Sequence, residues 1–232
     1  MPVVPWWGVL SSVAAPALLA VGWTLAAVRE PDGYDPVADT ISLLSSYGPV
    51  DKLILVTCLA GLGLAHLVTA VGLRFVSLAG RLVYGLGGVA TIVVAAVPKV
   101  DSVTPPAHGI AAVVAFVALA AWPAVAALTP GPRRTAPSPG SRRTDRSDRP
   151  WVLRRPAGLV ASGVMLGAGL WLARQLPDGP TAGLAERVAA GTEAVWPLVV
   201  VLVGLRWYRH RRANRAAVPD GDGGPVRGRA VQ

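Results

Sequence analysis

Residues 109–128 read GIAAVVAFVALAAWPAVAAL, twenty positions without a charge. A helix rises about 1.5 Å per residue, so this run covers the roughly 30 Å of a bilayer's hydrocarbon core. Working outward from it, five further runs of the same kind occupy 3–28, 53–73, 82–97, 157–173 and 188–205, with Glu193 their one charged residue. Each is long enough to cross the core or nearly so. The chain therefore reads as all-α, a polytopic six-helix transmembrane bundle. The first run lacks a basic leader and exceeds the usual 7 to 15 apolar residues of a cleavable signal, so it reads as a retained first helix.

The connections differ in sign. Arg74 and Arg81 follow the second run, a cluster from Arg133 to Arg155 follows the fourth, and Arg206, Arg209, Arg211, Arg212 and Arg215 follow the sixth. The connections after the first, third and fifth runs hold Glu30, Asp32, Asp35, Asp39, Asp101, Asp178 and Glu186. By the positive-inside rule both termini are expected in the cytoplasm of a multi-pass cell-membrane protein. An odd number of spans would place one arginine cluster on the wrong side.

Composition agrees, with 53% hydrophobic and 15% charged residues. The net charge of +9 would suggest nucleic acid in a soluble chain. Here the excess lies on cytoplasmic segments, so the expected partners are the lipid bilayer and anionic headgroups at the cytoplasmic face, not nucleic acid. The composition indicates no particular protein partner. The single cysteine, Cys58, excludes an intrachain disulfide. Arginine far outnumbers lysine and alanine, valine and glycine abound, as in a bacterial chain of high-GC coding.

One transmembrane domain, 1–208, is expected. It contains a disordered basic linker at 129–150, rich in Pro, Ser, Thr and Arg, and is followed by a disordered basic tail at 209–232. In the first outer loop, Asp35-Pro36 reads as an N-cap and first helical position, with Val37, Ile41 and Leu44 at i, i+4 and i+7. That spacing predicts a short amphipathic interfacial helix whose other face carries Asp39, Ser42 and Ser46. Small residues at Gly61 and Ala65, at Gly163 and Gly167, and at Gly85, Gly87 and Gly88 are expected where helices touch.

No Walker loop, dinucleotide glycine fingerprint, zinc-protease motif or nucleophile elbow occurs. What remains is a polar group that the expected topology places outside: Asp35, Asp39, Ser42, Asp101, His108, Glu186, Arg187 and Glu193. Glu193 lies about two turns into the sixth helix, where an acid is costly unless it faces a cavity or a partner. His66, deep in the second helix, reads as a hydrogen-bonding residue between helices. The first expectation is a binding or accessory protein, with an outward-facing pocket of Asp35, Asp39, Ser42, His108, Glu186, Arg187 and Glu193 for a lipid headgroup, an ion or a partner. The alternative is a membrane-embedded lipid hydrolase dependent on a divalent metal, with Asp39 and His108 as ligands and Glu186 or Glu193 as general base. A third is a small transporter that couples to protons through Glu193.

Four stretches carry a family likeness: Gly33-Tyr34-Asp35-Pro36-Val37-Ala38-Asp39-Thr40-Ile41-Ser42, Gly80-Arg81, Ala107-His108-Gly109-Ile110-Ala111-Ala112 and Gly183-Leu184-Ala185-Glu186-Arg187-Val188. Together they resemble a bacterial family of integral membrane proteins catalogued as domain of unknown function 998. The resemblance implies a six-helix membrane protein and carries no established activity. Its motifs fall on Asp39, Ser42, His108, Glu186 and Arg187, within the same outer group.

Overall fold

The structure, a computed structural model, describes residues 4–30, 33–46, 49–99, 104–131, 149–176 and 179–216. Six helices account for most of them: α1 (Trp6–Arg29), α2 (Pro49–Gly72), α3 (Leu78–Ala96), α4 (Pro106–Leu128), α5 (Arg155–Gln175) and α6 (Ala182–Ala216). All six are long and apolar enough to span a membrane, and no strand occurs among the described residues. In lipid a helix satisfies its backbone groups within one segment, which is why apolar runs of this length fold this way. The 129–150 linker lies largely outside the described residues, as does Asp101.

Close approaches set the register between neighbours. A side chain at Gly22 would collide with Cys58 and one at Gly61 would press on Leu18, while Ser11 bonds Thr69, so α1 and α2 run antiparallel at full length. Gly63 and Gly88 bring α2 and α3 together so tightly that a Cβ on either would come within 3 Å of the other's carbonyl. Gly80 against Ala126 and Gly87 against Leu119 do the same for α3 and α4, and Gly158 against Ala127 and Pro123 for α4 and α5. Glycine gains its place here because association in lipid depends on close packing. Gly163 and Gly167 do not follow the pattern, since open space surrounds both. They lie on the outward face of α5.

The helices pack in chain order, and α6 returns to α1 to close the ring. Helix α4 also touches α6, so side chains fill the centre: Tyr84 stacks on Trp122 at 4.8 Å, and Val200 and Val201 of α6 join the same cluster. One end of the bundle carries the 33–46 loop and the start of α6. The other carries most of the arginines, among them Arg74, Arg81, Arg154, Arg155 and Arg206.

Two expectations change in detail. The first-loop helix exists, but as a 3-10 helix at Ile41–Ser45 preceded by turns. Ile41 and Leu44 are buried against Ala26 and Leu55, so its apolar side packs on the end of the bundle. Asp35 does cap a single turn, its carboxylate accepting from the Val37 N–H and its carbonyl from the Asp39 N–H, but the chain does not continue that turn as a helix. The tail, expected to be disordered from 209, stays helical as far as Ala216. Arg211 lies over the Trp207 ring at 4.3 Å, an i, i+4 pair of the kind that extends a helix.

A membrane latch and a buried carboxyl

The first turn of α6 meets the loop through backbone. The Gly183 and Leu184 N–H groups, which have no partner inside the helix, donate to the Ala38 and Val37 carbonyls at 3.1 and 2.9 Å. The approach needs glycine, because a Cβ on Gly183 would overlap the Asp39 and Pro36 carbonyl oxygens. Two side chains then fasten the loop. The Glu186 carboxylate accepts from the Ile41 N–H and also engages Ser42, capping the 3-10 helix from a different element. The Arg187 guanidinium donates to the Pro36, Asp39 and Gly183 carbonyls at 2.7, 3.2 and 3.0 Å and to the Tyr34 hydroxyl at 2.5 Å. It also lies 5.8 Å from the Trp23 and Tyr34 ring centres.

The loop's acids are turned onto its own backbone. Asp35 Oδ1 accepts from the Val37 N–H and Asp39 Oδ2 from the Asp35 N–H, both at 2.8 Å. The Ser42 hydroxyl lies 3.3 Å from that of Thr40. Burial pushes the Tyr34 phenol above its ordinary range despite the pull of Arg187, which keeps it a donor toward the Asp39 and Thr40 carbonyls. These residues form one connected latch between the first loop and α6.

His108 lies elsewhere. Its Nδ1–H donates to the Val97 carbonyl at 2.7 Å and the ring also reaches Val94, so α4 supplies the cap for the last turn of α3. Burial pushes the neighbouring Lys99 ammonium down, opposed by the Glu186 carboxylate. Among the described residues no three His, Cys, Asp or Glu side chains gather as a metal site would require.

Glu193 stands apart from both. It is 2% exposed, and its Oε1 has no hydrogen-bond partner among the described residues. Six residues beyond Arg187, it sits about 9 Å deeper along α6. Its face is the one that Val200, seven residues on, presents to the central cluster. Pro197 removes the N–H that would serve the Glu193 carbonyl, so one residue offers two oxygens without their usual donors. About one turn deeper runs a satisfied polar chain: Ser11 to Thr69 at 2.7 Å, Thr69 to Tyr84, and the Tyr84 hydroxyl to His66 Nδ1 at 2.8 Å. His66 thus serves as the interhelical hydrogen bonder expected of it.

Residues 13–203 match the family described as Protein of unknown function (DUF998). The chain belongs to that family. No curated protein and no solved structure matches this DUF998 chain. Its expected site residues separate into a latch (Asp35, Asp39, Ser42, Glu186 and Arg187), an inter-helix cap (His108) and a buried carboxyl (Glu193). Tyr34, Gly183 and Pro197 also shape these groups, although their residue types alone mark no site. A tyrosine beside Asp-Pro and a proline at i+4 from an intramembrane acid were the signals available.

Proposed function

We propose that this integral membrane protein is of the binding or accessory class and that its bundle holds a proton or a small monovalent cation at Glu193. The supporting observation is the buried, unpartnered carboxyl. An isolated carboxylate in a bilayer interior is costly, so the group is neutralised by a positive charge that the described residues do not supply. The outer loop is a weaker candidate pocket because its polar groups are already bonded to one another. The metal-dependent hydrolase would need Asp39 and His108 to ligate one metal ion with a third donor, and among the described residues no three His, Cys, Asp or Glu side chains gather in that way. A transporter coupled through Glu193 would use the same proton site and adds a transport step that no observation here favours.

Infrared spectra of the protein in lipid test this. A protonated carboxyl band should be present, be lost in Glu193→Gln, and fall on sodium addition only if the cation competes with the proton. Glu193→Leu is expected to raise unfolding stability by about 1–3 kcal/mol, because an unsatisfied polar group is replaced by an apolar one. If Glu193→Leu unfolds more easily than the wild type in buffer free of sodium and potassium, the carboxyl has a structural partner and the proposal fails.

The proposed setting is a bacterial cell membrane, with both termini cytoplasmic and the basic segments against anionic headgroups. In a chain with Cys58 replaced, Gly33→Cys should react with an impermeant thiol reagent applied to intact cells and Ser138→Cys should not. The opposite pattern would invert the topology.

A further inference from the structure

At the arginine end, α5 and α6 part to leave an apolar groove of about 570 Å³. Ala157, Val164 and Met165 line one wall and Gly191, Val195 and Val199 the other. Each wall spans nine residues of helix, or about 12 Å from first to last, close to the half-thickness of a hydrocarbon core. Its end is marked by Trp151, half exposed and set edge-on to Trp196 at 6.4 Å. Tryptophan in that position is typical of the membrane–water boundary. Beside it stand Arg154 and Arg155, both exposed. Arg154 bonds only the Arg149 carbonyl at 3.4 Å, and among the described residues neither guanidinium meets a carboxylate. Arg154 is the N-cap residue of α5, three positions before Ala157 at the same end of the groove.

We propose that this groove seats one acyl chain of an anionic phospholipid, with its phosphate on Arg154 and Arg155. An apolar slot of one leaflet's depth, closed by tryptophan and crowned by cations that meet no carboxylate among the described residues, matches both halves of such a lipid. A zwitterionic lipid would fill the slot but leave the arginines without net compensation. This site is separate from Glu193 and does not depend on the reading of that residue.

The test uses the full chain in phosphatidylcholine nanodiscs, doped with either phosphatidylglycerol or phosphatidylcholine brominated on the acyl chains. Quenching is read as the emission that Trp151→Phe removes. Brominated phosphatidylglycerol should quench it at lower mole fraction than brominated phosphatidylcholine. Arg154→Gln with Arg155→Gln should weaken that preference roughly 25-fold, since each basic residue near a charged lipid contributes about a factor of five. Gly191→Leu should abolish it while the protein stays folded, because nothing lies within 4 Å of the position where that side chain starts. Equal quenching by both lipids would overturn the proposal. So would an unchanged preference in Gly191→Leu, or Val164→Cys cross-linking that shows a second copy covering the groove.

Discussion

Arg187→Ala should cost the folded protein about 3 kcal/mol and release the first loop. The guanidinium serves three backbone carbonyls and the Tyr34 hydroxyl at once, and truncation leaves these acceptors without their donor. Charge-assisted bonds contribute roughly 1.5–3 kcal/mol each, discounted here because the group is only partly buried. Arg187→Lys should recover only part of the loss, since an ammonium lacks the planar fork that reaches both Pro36 and Tyr34. Unfolding in detergent gives the magnitude, and protease cleavage within 33–40 reports the loop. Wild-type stability in Arg187→Ala would show that the loop is held by the backbone bonds and Glu186 alone.

Gly63→Val should have a comparable or larger effect of the opposite kind, too much matter rather than too few bonds. Even the first carbon of a new side chain would lie 2.7 Å from the Gly88 carbonyl oxygen and 3.0 Å from the Ile92 nitrogen. Both are backbone atoms and neither can rotate away, so α2 and α3 must separate. Overpacking typically costs 1–3 kcal/mol, and a β-branched residue against backbone belongs at about 3 kcal/mol or above. Gly163→Val, whose site faces open space, should be nearly silent in the same assay. If both variants unfold alike, glycine at 63 is not what sets the α2–α3 distance.

The contrast between Gly63 and Gly163 shows what a sequence of this kind conveys. Six helices were legible because a bilayer imposes a length and a polarity on every span, and composition alone registers both. Pairs of small residues were legible as well, yet Gly163 and Gly167 carry the same pattern as glycines that do pack. Spacing along one helix says nothing about whether a neighbour occupies the other side. The latch was half legible. Asp39, Ser42, Glu186 and Arg187 were singled out as a group, but their carboxylates and guanidinium close on backbone carbonyls and N–H groups, which every residue possesses and no motif advertises. The metal-ligand role weighed for His108 was drawn from its residue type. The Val97 carbonyl that engages it depends on how α3 ends. Glu193 was recognised from its depth, whereas its lack of a partner became visible only once the surrounding helices were in place.

The latch joins the loop after α1 to the start of α6. During synthesis the loop leaves the ribosome long before Gly183, Glu186 and Arg187 exist. Until α6 is inserted, the Pro36, Val37, Ala38 and Asp39 carbonyls and the Ile41 N–H must remain hydrated or borrow other partners. Insertion of α6 therefore closes the latch, and a chain cut short after α5 would display an unfinished loop to proteases.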